Sequence, residues 1–462
     1  MCPSPIPSRC WAEIDGKALR HNIRVLRAHV APATQILAPV KANAYGHGIV
    51  PIARELARAG VEWLGTASVA EAVQLREAGI TIPILMLGAA LREEMDAAVH
   101  MGIHLTLSSA REARWLNDAV EHAGLDSQTT GNAHLKIDTG MGRLGIWHQD
   151  MLLELKQISQ LPHVRIAGLM THFASSDTDP ELTRRQWTNF QRHLADAVSE
   201  VNSSRRTSKG QRDEPPLLVH AANSGAIVNA IGTSLDLIRP GIVMYGAYGD
   251  TPWEGGDIPE PAKVSHWAAT ELHRVLTWKS RVTLLRNVPA GRTLSYGATY
   301  TLPEAQHIAT VSAGYGDGYH RLASNRAEVL IRGIRCPIRG RVTMDQILVD
   351  VSAVKDVAEG DEVVLVGRQG NAEISACEVA SWAQTISYEV LTSISPRVPR
   401  VYIDFDSLSP DTEHVWNNCN AEFVVSSRNG TASQINNRVQ QEGRPGEHAN
   451  GNSHIAIRRH TA

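Results

Sequence analysis

The chain has 462 residues, of which 43% are hydrophobic and 20% charged, and this balance is typical of a globular protein large enough for two or more domains. The formal net charge of -3 argues against nucleic-acid binding through phosphates, and no apolar stretch is long enough to predict a membrane span. The N-terminus lacks a secretory signal and the five cysteines lack metal-ligand spacing, so we expect a cytoplasmic protein with neither disulfides nor a bound metal.

The first half of the chain alternates short apolar runs with amphipathic segments. The first such segment has Asp15 as a candidate N-cap, and one helical face carries Leu19, Ile23, Leu26 and Val30. Further helices are expected at 51–59, 68–78 and 109–123. The apolar runs, each of which predicts a buried strand, are 36–40, 63–67, 82–87, 103–107, 134–138, 164–170, 217–220 and 237–245.

Eight strand–helix units are the number that closes a parallel barrel. We therefore predict the α/β class and a (β/α)8 TIM barrel over residues 11–247. A doubly wound open sheet is the alternative, but no Gly-rich dinucleotide fingerprint follows the first strand.

The character of the sequence changes after residue 245. Residues 249–261 are rich in Gly and Pro and predict a linker. A mostly β C-terminal domain is expected over 265–405, with a short helix near Ser375 and strands at 275–286, 307–312, 328–331, 346–351 and 362–366. The polar tail, 408–462, predicts disorder, and 203–216 predicts a polar surface insertion.

Residues with reactive or polar side chains lie on or near the ends of several predicted strands, where barrel enzymes place their active sites. These residues are Lys41, Lys136, Arg143, His172, Ser224 and Arg239. Taken singly, His172 is also compatible with a buried structural histidine and Ser224 with a helix cap. Their joint placement at one rim favours an active site.

Lys41 follows an apolar run and precedes a Gly-rich turn. An amine at such a position is poorly solvated, which lowers its pKa and makes it a nucleophile or a base. Ser224 opens a predicted helix whose N–H groups favour an anion, and Gly241 lets the backbone approach a phosphate. A lysine beside such a phosphate site predicts pyridoxal 5'-phosphate, bound through Lys41 as a Schiff base.

Ordered motifs over residues 11–402 resemble the bacterial alanine racemases, which are fold-type III pyridoxal phosphate enzymes. The motifs are 38–48 (APVKANAYGHG), HLKIDTGMGRLG, GLMTHFASSD, AANSGA, IRPGIVMYG, LSYGATY, GYGDGYHR, GRVTMDQ and SYEVLTSISPRVPR. The resemblance implies a homodimer that interconverts L- and D-alanine and supplies D-alanine for peptidoglycan.

The resemblance also implies roles for individual residues. Lys41 would carry the cofactor and act as one base, and Tyr296 of the partner subunit would be the second base on the opposite face of the substrate. Arg239 would bind the pyridine nitrogen, with His172 beside it. The phosphate would be held by Tyr45, Ser224, Gly241 and Ile242.

At the substrate end, the resemblance implies that Arg143 contacts the substrate carboxylate and the cofactor phenolate. Lys136 matches a lysine that is often carbamylated in the family, where it orients that arginine. The backbone of Met344, with Asp345 and Tyr315 nearby, would close this end from the second domain.

The sequence departs from the family pattern at Pro396, where some relatives carry a tyrosine near the phosphate, and Tyr388 is too far along the chain to be expected in its place. Three other functions are alternatives. A decarboxylase of basic amino acids shares the architecture, but its glycine-rich loop and cysteine motif are missing here. A pyridoxal phosphate carrier would be a single barrel of half this length. A racemase for serine or for a broad substrate range is the nearest alternative.

Overall fold

The structure is a computed structural model that describes residues 8–124, 130–207, 215–248, 266–405 and 415–416. The predicted linker at 249–261 lies outside these ranges. So do 208–214 of the predicted insertion and all of the 408–462 tail except Val415 and Trp416.

The first elements among the described residues are a strand, β1 (Cys10–Asp15), and a helix, α1 (Gly16–Ala28). The carboxylate of Asp15 accepts a hydrogen bond from the Ala18 N–H at 2.9 Å, which confirms the predicted N-cap. The apolar face of α1 is buried through Leu26, whereas Val30 lies beyond the helix end.

A closed parallel barrel follows, as predicted. In the described part of the chain its strands are β2 (Gln35–Pro39), β3 (Trp63–Thr66), β4 (Ile84–Ala89), β5 (His104–Leu107) and β6 (Gly131–Asp138), then the short β7 (Ile146–Trp147), then β8 (Val164–Met170), β9 (Leu218–His220) and β10 (Leu237–Ile238). Neighbours pair in parallel from β2 through β6 to β8, β9 and β10, and β10 pairs with β2. The two-residue β7 pairs with β6 and lies outside this ring.

The last barrel strand is shorter than predicted. Residues 237–245 form a two-residue strand and then a 3-10 turn at Ile242–Tyr245. Pro240 has no N–H to donate to a strand ladder, which explains why pairing stops there.

The helices of the barrel half alternate with its strands. They are α2 (Lys41–Tyr45), α3 (Ile49–Arg58), α4 (Val69–Glu77), α5 (Met95–His100), α6 (Ala110–His122), α7 (Met151–Ile158), α8 (Pro180–Thr207) and α9 (Ser224–Val228). The helices predicted at 51–59, 68–78 and 109–123 are confirmed to within two residues. Since α8 continues to Thr207, the first part of the predicted insertion is helical.

The C-terminal part is mostly β, as predicted. Its elements are α10 (His266–Glu271), β11 (Leu276–Val288), β12 (Thr293–Leu294), β13 (Tyr300–Thr301), β14 (Gln306–Val311), β15 (Glu328–Ile331), β16 (Ile334–Pro337), β17 (Ile347–Asp350), β18 (Glu362–Gln369), β19 (Ala372–Ile374), α11 (Ala376–Ala383), α12 (Ser387–Ser393), β20 (Arg400–Ile403) and β21 (Val415–Trp416). The helix expected near Ser375 is α11, which begins with a capping box formed by Ser375 and Glu378.

The main sheet of this part runs in the order β16–β15–β18–β11–β1–β20–β21. β1 therefore lies inside this sheet, antiparallel to β11 and parallel to β20. Residues 11–15, which the sequence groups with the barrel, contribute to the other sheet. The domain boundaries 11–247 and 265–405 stay predictions.

The β domain also supports the turn that carries Lys41. Arg400, which is 5% exposed, donates a hydrogen bond from Nε to the Gly46 carbonyl at 2.9 Å. The hydroxyl of Tyr402 donates to the His47 carbonyl at 3.0 Å. Both contacts fix the chain just after α2. In the described ranges, no helix combines the length and the apolarity that crossing a bilayer requires.

Candidate active site

Lys41 lies at the carboxyl end of β2, at the start of a turn with an unusual backbone. Residues Ala42, Asn43, Ala44 and Tyr45 all have positive φ, between 52° and 55°. This left-handed conformation is strained for residues with a side chain, by about 1–2 kcal/mol each. The turn brings the side chains of Lys41 and Tyr45 to the same cavity.

Side chains hold this strained turn in place. The amide oxygen of Asn43 accepts from the Ile49 N–H at 2.9 Å, and a carboxylate oxygen of Glu71 accepts from the Ala42 N–H at 2.8 Å. The surrounding structure thus fixes a conformation that the sequence would not adopt alone.

A cavity of about 460 Å³ opens at this rim of the barrel. It brings together the predicted residues Lys41, Tyr45, Lys136, Arg143, His172, Ser224, Arg239 and Gly241. Ile242 follows Gly241 directly and is fully buried. The residues that the barrel topology predicts at one rim therefore do meet at a single cavity.

One corner of the cavity is built around Gly241. The Gly241 N–H donates to Ser224 Oγ at 2.9 Å. A Cβ on Gly241 would lie 2.8 Å from Tyr45 Oη and 3.4 Å from Ser224 Oγ. A side chain would fill this corner, so glycine leaves a small space that is bordered by two hydroxyl groups. Ser224 is the first residue of α9, with Asn223 as its N-cap.

Several hydrogen bonds fix the orientation of the buried Arg239 side chain. It is 5% exposed, and its Nη2 donates to the carbonyls of Thr171 at 2.7 Å and Ala221 at 2.8 Å. Its Nη1 lies 2.6 Å from His220 Nδ1. Burial lowers the pKa of Arg239 to about 10, so the guanidinium remains charged at neutral pH.

The contact with Arg239 determines the tautomer of His220. A guanidinium only donates hydrogen bonds, so His220 Nδ1 must accept, and the proton is on Nε2. That nitrogen lies 2.9 Å from His134 Nδ1 and donates to it. Burial and the charge of Arg239 hold the pKa of His220 well below its usual value, as they do for His172. Sequence analysis did not single out His134 or His220, although His220 ends a predicted strand.

Cationic groups dominate the cavity. Burial, followed by the charges of Arg143 and Arg239, lowers the pKa of Lys41, and Glu71 acts in the opposite direction. The same causes lower the pKa of Lys136 to about 8. An excess of positive charge around one cavity favours an anionic occupant. Among the described residues, no group of three or more His, Cys, Asp or Glu is arranged to bind a metal.

The remaining predicted residues lie on the β domain and do not line the Lys41 cavity. Tyr296, between β12 and β13, is 71% exposed, and Met344 and Tyr315 are 53% and 44% exposed. Tyr315 N–H donates to the Thr343 carbonyl at 3.0 Å, so two of these segments pack together. Asp345 accepts from Arg397 at 2.8 Å.

Comparisons with known proteins identify the family. Models of the alanine racemase N-terminal and C-terminal domains match residues 14–249 and 275–402. The chain belongs to the alanine racemase family.

Alanine racemases of Methylacidiphilum infernorum and Symbiobacterium thermophilum are similar to this chain. They are 40% and 41% identical to it, over 88% and 85% of this chain and 96% of each relative. The crystal structure of alanine racemase from Bacillus anthracis with bound L-Ala-P is 32% identical, with a TM-score of 0.74 over 90% of this chain and 99% of that one.

Tyr388, which the sequence analysis set aside, also lies at this cavity. It lines the Lys41 cavity together with Thr392, and its ring centroid lies 6.1 Å from that of Tyr45. Distance along the chain is a poor guide here, because α12 packs against α2. Pro396 borders a different, much smaller cavity beside Asn43.

Proposed function

We propose that this protein is an alanine racemase that uses pyridoxal 5'-phosphate to interconvert L- and D-alanine, and that it supplies D-alanine for peptidoglycan. The observation that carries the proposal is the cavity in which Lys41, Arg239 and the Gly241 corner meet, in a chain of this family. We assign the reaction to the cytoplasm, where cysteines such as Cys10 and Cys336, which form no disulfide in this structure, stay reduced.

The cavity suits pyridoxal phosphate in size, charge and donors. The corner between Tyr45, Ser224 and Gly241 offers hydroxyl groups and backbone to a phosphate, and a Cβ at Gly241 would close it. Ile242 would add its backbone to this corner. The lowered pKa of Lys41 leaves more of its amine neutral, the form that reacts with an aldehyde.

When bound, pyridoxal phosphate withdraws electrons from the substrate's Cα–H bond and so makes its proton removable. Arg239 would donate a hydrogen bond to the ring nitrogen, and because a guanidinium keeps its proton, that nitrogen would remain unprotonated. His172 and His220 stay neutral beside Arg239, so they leave its charge uncompensated.

Racemisation requires that a proton leaves one face of Cα and returns on the other. Lys41 Nζ would take or give the proton on one face, and the hydroxyl of Tyr296 of the partner subunit would serve the opposite face. Two bases on opposite faces achieve the exchange with little movement of the substrate.

The exposure of Tyr296, Tyr315 and Met344 supports a homodimer. Their segments are neighbours, because Ser295 Oγ donates to the Arg341 carbonyl at 2.7 Å and Tyr315 N–H donates to the Thr343 carbonyl at 3.0 Å. Exposed apolar and aromatic side chains on neighbouring segments are typical of protein interfaces. In the dimer, these residues and Asp345 would close the partner's cavity. Arg143 would bind the substrate carboxylate, and Lys136, carbamylated, would orient it.

Chiral chromatography after incubation with L-alanine, D-alanine and L-serine tests the reaction. We expect either alanine enantiomer to give an equal mixture of both. Carbon dioxide release from lysine, ornithine or diaminopimelate would indicate a decarboxylase. Cofactor binding without formation of D-alanine would indicate a pyridoxal phosphate carrier. Racemisation of serine at the same rate as alanine would indicate a racemase of broad substrate range.

Borohydride trapping of the cofactor, followed by peptide mass mapping, tests the lysine. We expect the label on Lys41 and its loss in Lys41→Ala, with retention in the control Lys156→Ala on the exposed side of α7. A label on another residue would contradict the assignment.

A further inference from the structure

Glu71 connects a helix cap to the turn that carries Lys41. It lies in the first turn of α4, half-buried, and its N–H donates to the N-cap Ser68 Oγ at 3.2 Å. Its carboxylate oxygen Oε2 accepts from the Ala67 N–H at 2.8 Å. These two contacts are those of a helix cap.

The other carboxylate oxygen reaches outside the helix. Oε1 accepts from the Ala42 N–H at 2.8 Å. Ala42 is the residue next to Lys41 and the first of those with positive φ. Glu71 therefore links α4 to the start of the left-handed turn. Because the backbone of this turn is strained, it should relax to another conformation if the contacts that hold it are weakened.

Glu112, in the first turn of α6, is a matched control for Glu71. Its N–H donates to the N-cap Ser109 Oγ at 3.2 Å, and its carboxylate accepts from the Ser108 N–H at 2.7 Å. Both glutamates cap a barrel helix in the same manner. The hydrogen bonds of Glu112 lie at the start of α6, whereas Glu71 also reaches the Lys41 turn.

We propose that Glu71 is a positioning residue for Lys41: it holds the backbone beside the lysine in its left-handed conformation and balances the positive charge around the amine. The proposal rests on the proposed function, in which Lys41 carries the cofactor and moves a proton. Among the charged groups acting on Lys41, Arg143 and Arg239 lower its pKa together with burial, and Glu71 raises it. Lys136 lines the same cavity and is electrostatically coupled to Lys41.

The first test is amide exchange in the cofactor-loaded enzyme. In Glu71→Gln, we expect amide exchange in the peptide that spans 41–47 to become about threefold faster or more. The reason is that a neutral amide oxygen accepts the hydrogen bond from the Ala42 N–H more weakly than the carboxylate does. In Glu112→Gln, that peptide should exchange as in the wild type, although both variants lose a charged cap. Equal exchange at 41–47 in the two variants would overturn the proposal.

The second test is the pH profile of kcat for alanine, which reports the base in the enzyme–substrate complex. Loss of the Glu71 charge lowers the pKa of the Lys41 amine further, so the acid limb should move to lower pH by about half a unit in Glu71→Gln. Glu112→Gln should leave it unchanged. An unmoved limb in Glu71→Gln would overturn the charge role.

Glu71→Asp separates the two contributions and serves if Glu71→Gln does not fold. The shorter side chain keeps the charge but loses reach, so exchange at 41–47 should rise while the acid limb stays near that of the wild type. Wild-type exchange in this variant would contradict the proposal. If borohydride trapping labels Lys41 and alanine racemises normally, such a failure concerns Glu71 alone and leaves the proposed function intact.

Discussion

Gly241 shows how the absence of a side chain can define a binding corner. Its N–H is already used by Ser224, and the space that a Cβ would occupy lies 2.8 Å from the Tyr45 hydroxyl. Any larger residue must displace Tyr45 or Ser224, both of which are almost fully buried. The corner has little freedom to adapt, since buried side chains are closely packed.

We predict that Gly241→Ala weakens pyridoxal phosphate binding about tenfold or more, which corresponds to about 1.4 kcal/mol. The added methyl group crowds the hydroxyl groups that would bind the phosphate. Fluorescence titration of the cofactor-free protein measures the affinity, and urea unfolding shows whether the fold is retained. An unchanged dissociation constant would mean that the phosphate binds elsewhere.

Lys136 gives a prediction about pH. Its pKa is lowered to about 8, mainly by burial, whereas an ordinary lysine titrates at 10.5. Between these values the unfolded chain binds the proton and the folded one does not. Stability should therefore rise with pH across this window, by up to about 1.4 kcal/mol per pH unit.

Urea unfolding between pH 7 and 10, in buffers free of carbon dioxide, tests this for the wild type and Lys136→Met. The rise should be smaller in the variant, since it has no amine to titrate at this position, while Lys41, whose pKa is also lowered, still contributes. The control is Lys156→Met, on an exposed part of α7, which should follow the wild type. Parallel curves for wild type and Lys136→Met would contradict the lowered pKa.

At the scale of the element, the left-handed α2 turn stores strain that substitution can release. Ala42 is exposed with φ of 52°, and Ala44 is buried with φ of 53°. Glycine adopts this conformation without a steric penalty. Replacing alanine by glycine, however, removes a methyl group and raises the conformational entropy of the unfolded chain.

We predict that Ala42→Gly raises the free energy of unfolding by about 1 kcal/mol, because the relief of strain exceeds the entropic loss. Ala44→Gly is the matched control, and it should be neutral or destabilising, since it also loses buried apolar surface. Denaturant unfolding of both variants measures the difference. A stability gain in the buried variant alone would contradict the strain assignment.

Sequence patterns predicted the elements whose signals are local. Each apolar run gave a barrel strand, and the order of strands placed Lys41 and Arg239 at one rim. The α2 turn could not be predicted, because Ala42, Asn43 and Ala44 carry no glycine signal for positive φ. Tyr388 was missed because helix packing, and not sequence spacing, brings it to the cavity.

Glu71 was missed for a related reason. A glutamate three residues after a serine at a helix start is read as a cap, and here it is one. Its second contact, with Ala42, depends on how α4 and α2 meet in space. No pattern in one sequence specifies that approach.

At the scale of the whole molecule, Tyr296 is exposed and does not line the cavity that contains Lys41. If each cavity is completed by the partner's Tyr296, variants that are inactive alone can complement each other. A dimer of one Lys41→Ala chain and one Tyr296→Phe chain has one site with both wild-type residues and one site with neither.

We predict that co-expression of these two variants, in equal amounts, restores about a quarter of the wild-type activity, since half of the dimers are mixed and each has one intact site. Chiral analysis of alanine measures it, with each variant alone as a control. Activity no greater than the sum of the two parents would show that Tyr296 serves its own chain.

The place of β1 has a consequence for how this polypeptide can be divided. In the sheet, β1 lies between β11 and β20, which follow it by more than 250 residues along the chain. In a fragment that ends with the barrel, both edges of β1 would lack a hydrogen-bonding partner strand. In a fragment that begins after the barrel, β11 and β20 would lack the strand that lies between them. We therefore expect that neither fragment folds independently and that truncation of the gene at the junction yields proteins that aggregate and are poorly soluble.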